Sequence, residues 1–352
     1  MDKNSKIYIA GHKGLVGSAL WNNLLSKGYS NLIGRTIDEL DLMDQKSVAA
    51  FFQQEKPEYV ILAAAKVGGI VANNTYRGQF IYENLQIQNN VIHQSYLNDV
   101  KKLLFLGSTC IYPRDAEQPM PEECLLTNTL EYTNEPYAIA KIAGLKMCES
   151  YNLQYGTNFI AVMPTNLYGP NDNFDLEKSH VLPALVRKIH LGKCLEENNW
   201  EAVRKDLNKR PIEGISGKNT EVEILNILSK YGLSTSPGMS VEIWGSGAPF
   251  REFLWSEEMA DACIFIMENI DFKDIINAQS EKTTTVGECR NTHINIGTGK
   301  EITIKKLAEL IKETIGFKGN LTFNTSKPDG TMRKLTNPSK LHHLGWHHKI
   351  EI

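Results

Sequence analysis

Through the first half of the chain, short apolar runs alternate with longer stretches in which apolar residues recur every three or four positions. Residues 6–10 (Lys-Ile-Tyr-Ile-Ala) read as a buried strand. A glycine-rich turn follows, and then Ala19, Leu20, Leu24 and Leu25 mark one face of a helix. The alternation continues. Residues 32–34 close a second strand, 48–52 are helical, and 59–65 form a third strand. A long helix over 80–97 leads to a fourth strand at 102–106, and a helix over 137–155 leads to a fifth at 159–163. Buried strands separated by helices predict an α/β fold, a doubly wound parallel sheet with helices on both faces. Ligands of such a sheet gather at the carboxyl ends of its strands.

After Met163 the regularity breaks. Residues 180–190 read as helix. The long polar segment 195–239 carries one amphipathic stretch through Val222, Leu225, Leu228 and Tyr231. A strand at 241–244, a helix at 256–267, a strand near 293–296 and a helix at 303–315 complete the pattern. The expected division is a dinucleotide-binding domain over 1–163, then a smaller C-terminal substrate-binding lobe over 164–352 with segments that return to the first domain.

Composition narrows the class of function. The 352 residues are 41 % hydrophobic, enough for a sizeable core, and the net charge of -3 favours neither nucleic acid nor a membrane surface. The opening Met-Asp-Lys-Asn-Ser-Lys runs straight into the first strand, so no signal peptide is expected. No apolar run approaches the ~20 residues of a membrane span. The six cysteines (110, 124, 148, 194, 263, 289) form no CxxC pair, which suits thiols in a reducing cytoplasm. His342-His343 and His347-His348 lack a cysteine and carboxylate pattern and are expected in a solvated terminal segment, with no metal bound.

The chemistry concentrates in three places. The turn after the first strand is Gly11-His12-Lys13-Gly14-Leu15-Val16-Gly17; glycines there let a backbone approach a pyrophosphate at a helix N-terminus. Its spacing is G-x-x-G-x-x-G rather than G-x-G-x-x-G. The fourth strand ends in Gly107-Ser108-Thr109-Cys110, placing a hydroxyl at a strand's carboxyl end. Tyr137 and Lys141 are four apart and share a helix face. An ammonium beside a phenol favours the phenolate, so Lys141 is expected to lower the Tyr137 pKa and make it an acid for a carbonyl oxygen. Each feature alone has a plain structural explanation; their order along one chain is what points to catalysis.

With these residues in hand, the chain resembles the extended short-chain dehydrogenase/reductase family of sugar-nucleotide epimerases and dehydratases. Within that family it resembles the branch that forms GDP-L-fucose from GDP-4-keto-6-deoxy-D-mannose. The likeness rests on Ala10–Ser18, Leu62–Gly69, Gly107–Pro113, Asn134–Lys141, Met163–Pro170, Trp244-Gly245-Ser246-Gly247, Arg251-Glu252-Phe253 and Lys327-Pro328-Asp329-Gly330. It implies a Rossmann-type domain that binds NADP(H). The implied contacts are Gly11, His12, Lys13, Gly14, Leu15, Val16, Gly17, Arg35, Asp41, Leu42, Ala63, Ala64, Ala65, Leu106, Gly107, Ser108 and Thr109. Lys141, Pro164, Thr165, Asn166, Leu167 and His180 complete that set. It further implies a proton-exchanging pair, Cys110 and His180, and GDP-sugar contacts near Lys188, Trp244, Arg251 and Asp329. A homodimer in which the helices at 80–97 and 137–155 pair is implied as well. Ile37 stands where the family often has a second arginine, and Lys13 where arginine is common; with no acidic residue ending the second strand, NADP remains the implied cofactor.

Chemistry supports the implied roles. In a 4-keto sugar the carbonyl acidifies the protons at C3 and C5, and inversion needs one group to remove a proton and another to return one on the opposite face. Cysteine and histidine titrate close enough to neutrality for this. Ser108 and Tyr137 can stabilise the charge that gathers on the C4 oxygen. Lys141 can also hold the nicotinamide ribose. The competing readings are another sugar-nucleotide 4-epimerase or 4,6-dehydratase on the same fold, or a dinucleotide-binding regulator without turnover. The latter predicts loss of Tyr137 or Lys141, and both are present.

Overall fold

The computed structural model describes residues 1–280, 288–327 and 329–352; Pro328 of the Lys327–Gly330 stretch lies outside the described residues. In chain order the elements begin with β1 (Ile7–Ala10), α1 (Leu15–Ser26), β2 (Leu32–Ile33), α2 (Gln45–Glu55), β3 (Tyr59–Leu62), α3 (Ile70–Thr75), α4 (Arg77–Leu97) and β4 (Lys102–Leu106). They continue with α5 (Glu135–Tyr155), β5 (Phe159–Pro164), β6 (Asn166–Tyr168), α6 (Val181–Glu196), α7 (Trp200–Lys209), α8 (Glu221–Lys230), β7 (Leu233–Ser234) and β8 (Ser240–Trp244). The remainder is β9 (Phe250–Arg251), β10 (Phe253–Trp255), α9 (Ser256–Asn269), α10 (Phe272–Ser280), β11 (Ile294–Ile296), β12 (Ile302–Thr303), α11 (Ile304–Ile315), β13 (Asn320–Asn324) and α12 (Ser339–His343).

The chain divides into two compact units. The larger comprises Met1–Asn171, Glu252–Lys300 and Leu335–Ile352. Its sheet has the order β11-β5-β4-β3-β1-β2, with every pair parallel. The order reverses between β1 and β3, which is where a doubly wound sheet opens a crevice at its carboxyl edge. Alternate strand residues feed opposite faces: Ile7, Ile9 and Ile61 pack with α1 and α9, whereas Tyr8, Ala10 and Val60 pack with α2, α4 and α5. The unit runs past Met163 to Asn171 because β6 pairs in parallel with β10, a segment returning from beyond the smaller unit.

The smaller unit comprises Asp172–Arg251 and Glu301–Lys334. Its sheet is β13-β8-β7, and β9 pairs antiparallel with β12. The segment 195–239 is more ordered than its composition suggests. It folds into α7, capped by Asn199, and α8, which opens on a capping box between Thr220 and Glu223. The buried face of α8 is Ile224, Ile227 and Leu228, and Val222 is exposed, so the expected stripe is shifted. Arg187 of α6 is buried and pairs with Asp206 at 2.8 Å while donating to the carbonyl of Phe174. A buried guanidinium so anchored fixes α7 on α6.

The histidine-rich tail is not simply solvated. Leu341 and Trp346 enter the core of the larger unit, and the backbone N–H groups of Lys349 and Ile350 donate to Glu258. His342 and His347 stack at 4.2 Å.

Candidate active site

Most of the segments expected to hold a dinucleotide begin where strands of the large sheet end; Asp41-Leu42 lies in the loop between β2 and α2, Lys141 on α5 and His180 in the smaller unit. Gly11 follows β1, Gly34 and Arg35 follow β2, Ala63–Ala65 follow β3, Gly107–Thr109 follow β4 and Thr165 follows β5. Gly11 has φ of +88°, and a Cβ there would lie 2.8 Å from the Ala64 nitrogen; a Cβ on Gly17 would lie 2.0 Å from the Gly11 carbonyl oxygen. Only glycine admits this close packing of turn, helix and strand. The buried Nδ1 of His12 has no hydrogen-bond partner among the described residues. Asn90 ties down the Asp41-Leu42 loop by donating to the Leu42 carbonyl at 2.9 Å, and Asn84 holds Lys66 through both ends of its amide. A glycine cradle, an open polar edge and an unpartnered imidazole nitrogen fit a dinucleotide. At the β2 end, Arg35 donates to Glu55 at 2.7 Å and to the Gly34 carbonyl at 3.0 Å, while Ile37 is exposed.

The expected catalytic residues of the larger unit come together beyond β4. Ser108 caps a short 3-10 turn, Thr109–Ile111, accepting from the Cys110 N–H at 3.2 Å. The Ser108 hydroxyl also bonds the Tyr137 oxygen. Tyr137 and Lys141 project from α5, whose start is set by Glu135 and Pro136 in its first turn. The Lys141 ammonium is buried, donates to the Leu106 carbonyl at 2.8 Å, and lies 5.8 Å from the centre of the Tyr137 ring. Asn134 donates its amide to the Cys110 sulfur at 3.3 Å.

The electrostatics correct one expectation. Lys141 does not lower the Tyr137 pKa. Burial raises the phenol well above its ordinary value, the charge on Cys110 raises it further, and only the Ser108 bond pulls it back. Lys141 is itself pulled down to about 7 by burial. Two desolvated groups that each lack an opposite charge both move toward their neutral forms.

The smaller unit carries the remaining residues. His180 is the N-cap of α6. The residue is exposed, yet enough protein surrounds its imidazole to hold its pKa below the usual value. Lys188 donates to the Glu242 carbonyl, and burial brings it down to about 8. Trp244 is 57 % exposed, with the Lys327 ammonium 5.1 Å from its ring. Asp329 accepts from the Ser246 N–H at 2.9 Å and its hydroxyl at 2.7 Å, locking the Trp244–Gly247 turn. Arg251 donates to the carbonyls of Phe250 and Thr331, and burial draws its pKa down.

Glu252, Asn84 and Asn134 were given no role from sequence. Glu252 is fully buried in the larger unit, accepts from the N–H groups of Thr298, Gly299 and Thr336, and gives its carbonyl to Asn166. Nothing local in the sequence marks it, because its partners lie 46, 47 and 84 residues away.

A doubly wound sheet with a glycine cradle and a Ser/Tyr/Lys set at its carboxyl edge defines a nucleotide-dependent oxidoreductase acting at a carbonyl. The chain belongs to the NAD dependent epimerase/dehydratase family, whose model matches residues 7–210. It is similar to GDP-L-fucose synthase 1 of Arabidopsis thaliana, 48 % identical over 351 residues that cover 100 % of this chain and 90 % of the relative. Among solved structures it is similar to a GDP-6-OMe-4-keto-L-xylo-heptose reductase from Campylobacter jejuni, at 51 % identity and a TM-score of 0.91, covering 100 % of this chain and 95 % of the other. A GDP-D-glycero-L-gluco-heptose synthase from the same organism, determined in the presence of NADPH, matches at 50 % identity and 0.89, covering 100 % and 96 %.

Proposed function

We propose that this chain converts GDP-4-keto-6-deoxy-D-mannose to GDP-L-fucose, inverting C3 and C5 and then reducing C4 with NADPH. The observation that carries this reading is the convergence of Ser108, Cys110, Tyr137 and Lys141 at the carboxyl end of β4, in a chain similar throughout to GDP-L-fucose synthases. Cys110 and His180 exchange protons with C3 and C5. Each removal sends an electron pair onto the C4 oxygen, where Ser108 and Tyr137 donate to it. When bound, NADPH supplies the hydride that C4 receives. Tyr137 then gives its proton to the alkoxide; a raised phenol pKa keeps that proton in place until the alkoxide forms. Lys141 is set to hold the ribose, and Lys188, Trp244 and Arg251 to hold the GDP moiety, with the smaller unit as the sugar-nucleotide lobe.

The exposed Leu97, Leu153 and Tyr155 on α4 and α5, beside the Tyr96–Tyr155 stack at 4.3 Å, support a homodimer through these helices. Six cysteines outside any disulfide suit the cytoplasm. No helix among the described residues is long and apolar enough to cross a membrane.

A second reading is favoured by the heptose enzymes among the solved structures: the same chemistry on a GDP-4-keto-heptose. The test is to supply GDP-4-keto-6-deoxymannose or a GDP-4-keto-heptose with NADPH in D₂O and identify the products. GDP-L-fucose bearing deuterium at C3 and C5 supports the first reading. Turnover of the heptose alone overturns it in favour of the second. Exchange at the native rate in both Cys110→Ser and His180→Asn refutes the assigned pair.

A further inference from the structure

Asn134 stands directly before α5, at the position where an asparagine side chain ordinarily caps the first helical turn. It makes no such cap bond. Its Nδ2 donates instead to the Cys110 sulfur at 3.3 Å. Its Oδ1 is buried and has no partner among the described residues. Folded proteins leave few buried polar atoms unsatisfied, and a capping residue that forgoes its cap gives up helix stability. One side chain breaking two local rules beside reactive groups is the pattern expected of a functional position. Its own backbone N–H is held by the Glu131 carbonyl at 3.2 Å, at the end of a 3-10 turn, Tyr132–Asn134, that runs straight into α5.

We propose that Asn134 is a positioning residue for both the base chemistry and the sugar: its amide N–H steadies the Cys110 sulfur, and its amide oxygen accepts a hydroxyl of the bound 4-keto sugar. This rests on the reading of Cys110 as a proton-exchanging group. Removing a proton from carbon leaves its electron pair on the C4 oxygen, and returning one requires Cys110 to pass between thiol and thiolate. A neutral donor at the sulfur stabilises the thiolate without placing a fixed charge in the site. That matters because negative charge on Cys110 already opposes ionisation of Tyr137. The unpartnered oxygen faces the opposite need, since a sugar arrives with hydroxyl donors that must be satisfied once water is excluded.

The test compares Asn134→Ala, Asn134→Asp and Cys110→Ser with the native enzyme. Four quantities are read: alkylation of Cys110 by iodoacetamide at pH 7 in NADPH-saturated protein, deuterium incorporation at C3 and C5, KM for the sugar nucleotide, and Kd for NADPH. Asn134→Ala is expected to slow Cys110 alkylation and deuterium exchange about tenfold or more, the worth of a hydrogen bond to a charged group. KM should rise several-fold, while NADPH affinity and melting temperature stay native. Asn134→Asp keeps an acceptor for the sugar but repels the thiolate, so exchange should fall further and KM less. A merely structural role would move NADPH affinity and melting together with exchange. If Cys110→Ser abolishes exchange and Asn134→Ala exchanges and alkylates at native rates, the inference about Asn134 is wrong. If Cys110→Ser itself exchanges normally, the Cys110 reading has failed and takes this inference with it.

Discussion

Replacing Lys141 with methionine should make folding stability respond to pH in a way that isolates one buried amine. Lys141 is 3 % exposed, and burial brings its ammonium from 10.5 to about 7. At ~1.4 kcal/mol per tenfold change, that displacement corresponds to ~5 kcal/mol between the protonation states. The sign follows from where the proton sits. In the folded chain it leaves as pH rises through about 7, whereas in the unfolded chain it stays until ~10.4. Between these values the unfolded state binds more protons, so native stability rises with pH; below about 7 the cost of the buried charge is fully present. Lys141→Met removes that dependence. It also leaves the Leu106 carbonyl without its donor, a loss independent of pH. The stability difference between variant and native protein should therefore shift by ~4 kcal/mol in favour of the native chain on going from pH 6 to pH 10. Urea unfolding of the cofactor-free proteins at five pH values, followed by tryptophan fluorescence, measures it; all other titrations cancel in the difference. A difference flat to within ~0.5 kcal/mol would refute the claim that burial controls this lysine.

Tyr137→Phe should abolish C4 reduction, leave NADPH affinity within about twofold, and slow deuterium exchange by ~10²–10³ through loss of one donor to the C4 oxygen; reduction at the native rate would mean another group delivers the proton. Glu252→Gln replaces one accepting oxygen with an amide donor facing the Thr298, Gly299 and Thr336 donors, and should destabilise by ~3 kcal/mol, lowering the melting temperature by ~6–12 °C in calorimetry. Arg35 is shared with Glu55, and Ile37, two residues further on, is exposed and uncharged. Ile37→Arg and Glu55→Gln should each raise the ratio of NADPH to NADH affinity about tenfold in fluorescence titrations.

What the sequence disclosed, and what it did not, divides along how far apart the interacting residues lie. The order of strands and helices in the larger unit was legible because each element carries its own periodicity. The glycine cradle was legible because the turn, Gly11–Gly17, is contiguous. Even the ordered segment 195–239 held a local sign, the Thr220-x-x-Glu223 box that opens α8. Glu252 carried no such sign, since its partners reach it from β11's exit and from the C-terminal segment. A strand near 293–296 was legible, but neither its place beside β5 in the large sheet nor the pairing of β10 with β6 was, because both depend on contacts between distant chain segments.

The Tyr137/Lys141 pair shows why spacing identifies partners without fixing their ionisation. Four residues of helix bring the two side chains to one face, but the ammonium turns to the Leu106 carbonyl, and loss of solvation governs both groups, drawing the lysine down and the phenol up. At rest near neutral pH the phenol is protonated, and the lysine is poised between its two forms. Such a pair holds little charge until a substrate brings some. When electron density gathers on the C4 oxygen, the phenol proton has somewhere to go, and a protonated lysine gains the anion that burial had denied it. In the proposed reaction the acidity of Tyr137 is therefore set by the carbonyl whose oxygen it protonates. Negative charge on Cys110 works against that of Tyr137, so in the proposed reaction one negative group is favoured at a time, which is the order that exchange at carbon followed by protonation at oxygen requires.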